Sequence, residues 1–276
     1  MKTVIALLTL VYLAWILVPA GNLVLTTFKL PREVMTGPYS FFPNSGWVTQ
    51  NYKDIWSVIP LGKYLFNSLF VSAVTMCLSV VLSVLAGYGI SRFAFKGKNG
   101  FQGFVLLTQS FPGILFLLPY FLLYIQLETL TGLKLRGTYL SLIITYTTFA
   151  LPFCMMLMKS YFESIPVDIE EAAMIDGCSK FGAFLRVILP TIRPAIATVG
   201  ILGFLQAWND VLFASVLTDD LTRTVAVGIT DYASQFEVQW NYVLTAGVVV
   251  SLPVVFFFVL LQKHIIQGLT AGAVKG

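Results

Sequence analysis

Residues 64–91, YLFNSLFVSAVTMCLSVVLSVLAGYGIS, contain no Asp, Glu, Lys or Arg. A helix needs about 20 mainly apolar residues to cross the hydrocarbon core of a bilayer, so this stretch is long enough for one span. The backbone of a spanning segment must pair its own polar groups, which favours a helix. A membrane barrel would instead show segments of about ten residues with alternating hydrophobicity. The stretch therefore predicts a transmembrane helix.

The composition of the whole chain agrees with this prediction. Of its 276 residues 57% are hydrophobic and 11% are charged, and the mean hydropathy is +0.84. Soluble domains carry about 25% charged residues, and a soluble domain of this composition would expose large apolar patches. The net charge of +4 gives no case for nucleic-acid binding. Three cysteines without paired spacing and a single histidine indicate neither a disulfide framework nor a metal site.

Five further segments resemble the first, and together they predict an all-α polytopic membrane protein with a single transmembrane domain, 1–276. The six predicted helices lie at about 3–28, 64–91, 100–126, 138–158, 194–217 and 240–262. The fifth is long enough only if it continues through Asp210 to about Leu217. The first could be a signal peptide, but its apolar stretch is about twice the length of a signal core, so we expect it to be retained.

The distribution of cations predicts the orientation. The segment RFAFKGK, residues 92–98, holds three cations and no acid, which favours a cytoplasmic position. Both termini and the loop 159–193 are then cytoplasmic. The segments 29–63, 128–136 and 218–237 are expected to face outwards.

The loop 159–193 contains a short, sharply ended helix. Asp168 is the predicted N-cap, and Glu171 three residues later would complete a capping box. Gly177 occupies the place of a left-handed C-cap. A helix this short is marginal alone in water, so another surface should pack on it. One narrow face has helical spacing and comprises Ile169, Ala172, Ala173 and Asp176. An ordinary capped helix at the membrane surface is the alternative on periodicity alone.

Three elements of this loop resemble the EAA loop of ABC-importer permeases. They are Glu171-Ala172-Ala173, Asp176-Gly177 and Ile188-Leu189-Pro190. In that family the loop is a coupling helix that docks into a cleft of the ATPase subunit. NSLF (67–70), WND (208–210) and the tail GLTAGAVKG (268–276) are similar to the carbohydrate-uptake permeases, most of all to the smaller six-span permease of maltose-type importers.

The resemblance implies a type I ABC importer permease in a prokaryotic cytoplasmic membrane. Its implied partners are a second homologous permease, two ATPase subunits, an extracytoplasmic solute-binding protein and the surrounding lipid. The tail, with Lys275 and Gly276, would reach the ATPase pair, the alternative being a frayed end. The chain has no G-x-x-x-x-G-K-[ST] motif, so ATP and magnesium are expected on the ATPase partners. We predict no cofactor, catalytic residue or metal site in this chain.

Candidate residues for a substrate path lie in three predicted helices. Gln206, Asn209 and Asp210 share one helix face, whereas Trp208 points roughly the opposite way. Trp208 as an interfacial aromatic residue, and Asn209 with Asp210 as a helix–helix bond, are the competing interpretations. Gln109 precedes Pro112 and Pro119, each of which favours a kink, and broken helices are common at transporter sites. Thr147 could line a path or bond between helices.

Two alternatives to a sugar permease stay open at this stage. The same architecture could import another solute such as glycerol phosphate, although a phosphate cargo favours Arg or Lys and the six predicted helices contain neither. A stand-alone secondary transporter is the second. Asp210 is then the one candidate for ion coupling, and the short helix of the loop would lack a purpose.

Overall fold

The computed structural model describes residues 2–234 and 238–273, with side chains for all of these except 261 and 264–273. Every regular element in these ranges is helical, which confirms the predicted all-α fold. The α-helices are α1 (Lys2–Thr26), α2 (Pro31–Met35), α3 (Asn51–Val58), α4 (Leu61–Arg92), α5 (Lys98–Gln109), α6 (Leu117–Thr131), α7 (Tyr139–Ser164), α8 (Val167–Ile175), α9 (Lys180–Ala183), α10 (Leu189–Thr191), α11 (Arg193–Trp208), α12 (Leu212–Leu217), α13 (Val225–Ala233) and α14 (Trp240–Ala273). A 3₁₀ turn covers Gly113–Phe116, and a π-helical turn covers Phe184–Ile188.

Five described helical segments are long and apolar enough to cross a membrane. They are Lys2–Thr26, Leu61–Arg92, Gly113–Thr131, Tyr139–Ser164 and Trp240–Leu260. A sixth results if Lys180–Thr191 and Arg193–Trp208, which meet at 76°, are counted as one bent span.

The third predicted segment, 100–126, consists of two helices rather than one. α5 ends at Gln109, and Pro112 has the extended ψ angle of 129° before the 3₁₀ turn and α6. α6 passes through Pro119 without interruption, contrary to the expected kink. Pro119 is the third residue of α6, where a backbone N–H would have no intrahelical partner in any case.

The chain divides into two compact units, the first formed by the described residues up to Leu65 and from Val225 to Pro253. A buried asparagine joins its parts. The Asn51 amide nitrogen donates to the carbonyl oxygens of Thr27 (2.7 Å) and Lys29 (3.0 Å). The Asn51 side-chain oxygen accepts from the amide of Asn241 at 3.0 Å. One side chain of α3 therefore connects the segment after α1 with the start of α14.

The second unit, which begins at Phe66 and ends at Thr224 before resuming at Val254, contains close helix contacts at glycines. A Cβ atom on Gly87 of α4 would lie 2.7 Å from the Cβ of Met158 and 2.9 Å from the backbone nitrogen of Lys159. A Cβ atom on Gly203 of α11 would lie 3.1 Å from the Cβ of Ser79. Small residues let helix backbones approach closely in membranes. α4 is therefore packed tightly against both α7 and α11.

Gly87→Ala should destabilise the second unit, because the new methyl group meets backbone and Cβ atoms of α7 that have little room to move. Overpacking of this kind typically costs about 1–3 kcal/mol. Gly89→Ala is the matched control, since a Cβ atom there meets nothing within 4 Å on the same helix. The measurement is the thermal unfolding midpoint of each purified variant in detergent. Equal midpoints for the two variants would contradict the close α4–α7 contact.

Candidate functional site

The loop between α7 and α11, Ile165–Ile192, begins with α8, whose start differs from the prediction. Pro166 is the N-cap, with φ −55° and ψ 136°, and no side chain caps the helix. The predicted capping box of Asp168 and Glu171 is therefore wrong. The extended Pro166 starts the helix at Val167, so Asp168 lies inside the first turn. There its carboxylate complements the positive end of the helix dipole instead of capping it.

The end of α8 confirms the predicted left-handed glycine. Gly177 has φ +91°. The Gly177 N–H donates to the carbonyl oxygen of Met174 at 3.1 Å, and the Cys178 N–H donates to that of Ala173 at 3.0 Å. This pair of bonds is the Schellman motif, which satisfies the last carbonyls of a helix and reverses the chain.

A buried carboxylate holds the inner side of α8. Glu170 is 3% exposed, and its Oε2 accepts from the Arg92 Nε at 3.2 Å. Its Oε1 accepts a hydrogen bond from the Tyr88 hydroxyl. Arg92 also donates through an Nη atom to the carbonyl oxygen of Ile165 at 3.0 Å. The carboxyl end of α4 therefore fixes α8 and the residue that leads into it.

Apart from Glu170 and Ala173, the residues of α8 are exposed, Glu171 among them. Four of the exposed residues are large and apolar: Val167 (49% exposed), Ile169 (42%), Met174 (38%) and Ile175 (86%). We call these four the exposed apolar residues of α8. The predicted stripe is divided by this arrangement, because Ala173 is buried with Glu170 whereas Ile169, Ala172 and Asp176 are exposed.

The predicted Ile188-Leu189-Pro190 element lies where the chain bends towards α11. Ile188 is fully buried at the end of the π-helical turn, in a core shared with Met158 and Phe162 of α7. Leu189 and Pro190 are half-buried and open α10. The Leu189 N–H donates to the carbonyl oxygen of Phe184, five residues back. The wide turn directly precedes Pro190, whose ring nitrogen has no hydrogen to donate.

The three polar residues at the end of α11 lie close together, as predicted. Gln206, Asn209 and Asp210 line one open cavity of about 390 Å³ together with Leu202 and Leu205. Trp208 does not line it. Its ring is 4% exposed and stacks on Phe204 with the centroids 5.3 Å apart.

α11 ends at Trp208, so the predicted segment 194–217 is a broken helix. Asp210 lies in the break, and its Oδ1 accepts from the backbone N–H groups of Phe213 (2.9 Å) and Ala214 (3.2 Å) at the start of α12. The same oxygen accepts from the Tyr146 hydroxyl of α7 at 2.9 Å. Asp210 therefore caps α12 and bonds to α7, as the helix–helix interpretation expects.

The other candidate residues lie elsewhere. Gln109 is exposed at the end of α5. Thr147 is 6% exposed, and its hydroxyl has no hydrogen-bond partner among the described residues. It lines a separate apolar cavity of about 460 Å³ with Leu78, Leu82 and Phe101. Lys275 and Gly276 of the predicted ATPase-contacting tail lie outside the described residues.

Glu170, Tyr88 and Arg92 are the residues that sequence reasoning missed. In the sequence Arg92 is marked only as one of the cations of RFAFKGK, and the resemblance to the EAA loop singles out Glu171 and not Glu170. One signal was available: Glu170 and Ala173 are three residues apart and share a helix side. No spacing rule connects Glu170 with Arg92, which lies 78 positions earlier.

The fold and this loop define a polytopic helical membrane component with a structured interhelical loop. The chain belongs to the family described as binding-protein-dependent transport system inner membrane components, whose model matches residues 79–271. It is therefore a transport component of a prokaryotic cytoplasmic membrane. Members of this family are parts of membrane-embedded assemblies that also contain a partner permease, an ATPase and a binding protein.

Individual proteins are similar over most of the chain. The sulfoquinovosyl glycerol transport system permease protein SmoH of Agrobacterium fabrum is 36% identical over 94% of this chain and 89% of its own length. The trehalose transport system permease protein SugB of Mycobacterium tuberculosis is 36% identical over 82% of this chain and 81% of its own. A crystal structure of a bacterial ABC transporter involved in the import of the acidic polysaccharide alginate contains a chain of the same fold. The TM-score is 0.81 at 20% identity, with 96% of both chains covered.

Asp210→Ala should lower stability by about 1 kcal/mol, the typical value of a lost N-cap, because α12 loses its cap and Tyr146 loses its acceptor. Asp210→Asn is the matched control, since Asn caps almost as well as Asp. We expect Asp210→Asn to keep both the thermal unfolding midpoint and transport. Loss of transport in Asp210→Asn at an unchanged midpoint would show instead that the carboxylate charge itself is required, as ion coupling would demand.

Proposed function

We propose that this chain is one of two permease subunits of an ATP-driven, binding-protein-dependent importer of a sugar or oligosaccharide. The observation that carries the proposal is that α8 is firmly anchored and yet largely exposed. Glu170 fixes it to α4, while Val167, Met174 and Ile175 stay exposed. A cluster of exposed apolar side chains marks an interaction surface.

This surface of α8 docks into a cleft of an ATPase subunit. α8 has nine residues, so it is marginal as an isolated helix. The Schellman motif and the buried Glu170 hold it in shape before any partner binds, which lowers the cost of docking. Glu171 and Asp176 add exposed charge to this surface. Two ATPase subunits, one for each permease, would hold the ATP and magnesium.

The cargo is proposed from the cavity on α11 and from the relatives. SmoH and SugB are named for sugar-containing solutes. The cavity is lined by the amides of Gln206 and Asn209 and by the Asp210 carboxylate, with no cation among its lining residues. Amides and a carboxylate suit hydroxyl groups, whereas a phosphate ester would be repelled by Asp210. Sugar is therefore favoured over glycerol phosphate as the cargo.

Selectivity belongs mostly to the extracytoplasmic solute-binding protein. Neutral hydrogen bonds contribute only about 0.5–1.5 kcal/mol each, so a hydrated cavity on the permease binds a sugar weakly, which permits release. The binding protein would dock on the outward segments 29–63, 128–136 and 218–237. In this orientation both termini are cytoplasmic.

The test of the cargo is to purify the binding protein that co-purifies with this permease and to titrate it calorimetrically with a panel of sugars and sugar phosphates. We expect micromolar or tighter binding of an uncharged sugar. Binding of phosphate esters alone, with no response to any neutral sugar, would contradict the proposal.

Gly177→Val should abolish uptake and stimulated ATPase activity while membrane insertion stays normal. A β-branched residue at φ +91° is strained, at a cost of about 1–2 kcal/mol. Gly177→Asn is the matched control, because Asn tolerates this conformation. Asn209→Ala should lower uptake less than Gly177→Val does, since one amide is one contact among several. The measurement compares transport with stimulated ATPase activity in reconstituted complexes.

Two outcomes would contradict this ranking. Unchanged uptake in Gly177→Val at normal expression would remove the coupling role of α8. Loss of transport in Asn209→Ala with intact ATPase stimulation would make Asn209 an essential substrate contact.

A further inference from the structure

The side-chain hydrogen bonds of α8 attach it to α4, a helix distant in the sequence. Glu170 supplies every side-chain hydrogen bond of α8 within the described part of the chain, and both of its partners, Tyr88 and Arg92, lie in the last turns of α4. The side chains of Arg92 and Glu170 are 6% and 4% exposed. A buried pair of this kind is costly to open, because each charge would be left uncompensated.

Aromatic packing adds to this attachment. The Tyr88 ring lies 4.5 Å from that of Phe184 and 5.4 Å from that of Phe162, measured between centroids. Just beyond α4, the Phe93 ring carries the Lys180 Nζ over its face at 4.3 Å from the centroid. The carboxyl end of α4 therefore contacts α8, α9 and the π-helical turn together.

The chain on either side of α8 is interrupted by non-helical residues or bends. α7 ends at Ser164, and Ile165 and Pro166 are both extended, so no continuous helix joins α7 to α8. On the other side Gly177 reverses the chain, and a 76° bend separates Lys180–Thr191 from α11. Extended and reversed segments act as hinges more readily than as rigid levers.

We propose that Glu170, Arg92 and Tyr88 form the joint through which a displacement of α8 is passed to α4, so that α4 moves with α8 as one body. All three are positioning residues: none is proposed to touch ATP or the transported solute. The proposal rests on the proposed function for the origin of the displacement, which is the ATPase.

The receiving helix contacts α11 shortly before its polar residues. Gly203 packs on Ser79 of α4, and Gly200 packs on Met76, where a Cβ atom would lie 3.6 Å from the Met76 side chain. Gln206 follows Gly203 by one turn, and Asn209 is the C-cap of α11. A shift of α4 therefore acts on the segment of α11 that precedes the cavity.

The test is Glu170→Gln, which keeps the side-chain volume and removes the charge. Transport and ATPase activity are measured in the same reconstituted complexes, and the readout is the number of ATP molecules hydrolysed per solute imported. We expect this number to rise at least about fivefold, the lower end of typical coupling between sites. Glu163→Gln is the matched control, because Glu163 pairs with Lys159 at 3.1 Å but its side chain is 41% exposed. It should behave as the wild type does.

The double variant Arg92→Gln/Glu170→Gln tests whether the two residues act as a pair. Removing both charges avoids an unpaired buried charge, so its defect should be smaller than the sum of the two single defects. If transport and ATPase activity fall in step in Glu170→Gln, with an unchanged ratio, the pair only holds the fold and the proposal is overturned.

Hydrogen exchange tests the joint independently of the proposed function. Amides of residues 167–178 should exchange faster in purified Glu170→Gln than in the wild-type chain, whichever solute is carried. Equal exchange would overturn the joint. A wild-type complex that imports no sugar, together with faster exchange in the variant, would remove the proposed cargo and leave the joint supported.

Discussion

The buried carboxylate of Glu170 is the interaction on which the loop depends. An isolated carboxylate cannot be removed from water without a compensating charge and hydrogen bonds. Arg92 supplies the charge, and the Tyr88 hydroxyl supplies a further hydrogen bond. Because these partners end α4, the position of α8 is set by a membrane helix instead of by the adjacent chain. Apart from Ala173, the other residues of α8 stay exposed.

Close approach of helices gives α4 its central position in the second unit. Gly87 allows the contact with α7, and Gly203 allows the contact with α11. The side of α4 that faces inwards carries small hydroxyl residues, and those of Ser72, Thr75 and Ser79 have no hydrogen-bond partner among the described residues. Larger apolar side chains would bury more surface at these positions. The small ones instead allow the backbones of neighbouring helices to approach closely.

Local backbone chemistry was predictable from the sequence, and tertiary pairing was not. Gly177 was predicted as a left-handed cap because few other residues accept a positive φ. The helical period also predicts that Gln206, Asn209 and Asp210 lie near one another, and they line one cavity although α11 ends at Trp208. The capping box failed because the motif matched in spacing while Pro166 had already set the start of the helix. Pro119 failed as a kink because the effect of a proline depends on its distance from the start of its helix.

The remaining features depend on contacts between distant residues. The sequence alone is equally compatible with Asp210 as an ion-coupling acid and as a structural group. The positions of Tyr146, Phe213 and Ala214 in the fold identify it as a cap. The hydroxyl of Thr147 makes it a candidate for the substrate path, yet it lines an apolar cavity separate from that of Gln206 and Asn209. Glu170 and Glu171 are indistinguishable by composition, and their different surroundings arise from the packing of α8 on α4.

The most direct test of the account is the structure of the assembled transporter in its nucleotide-free and ATP-bound states. The quantity to compare is the distance from the Glu170 carboxylate to the Arg92 guanidinium. If α8 and α4 move as one body, this distance stays near the present 3.2 Å in both states while α8 changes position relative to the last turn of α7. Opening of the pair in either state, with α4 left in place, would contradict the account.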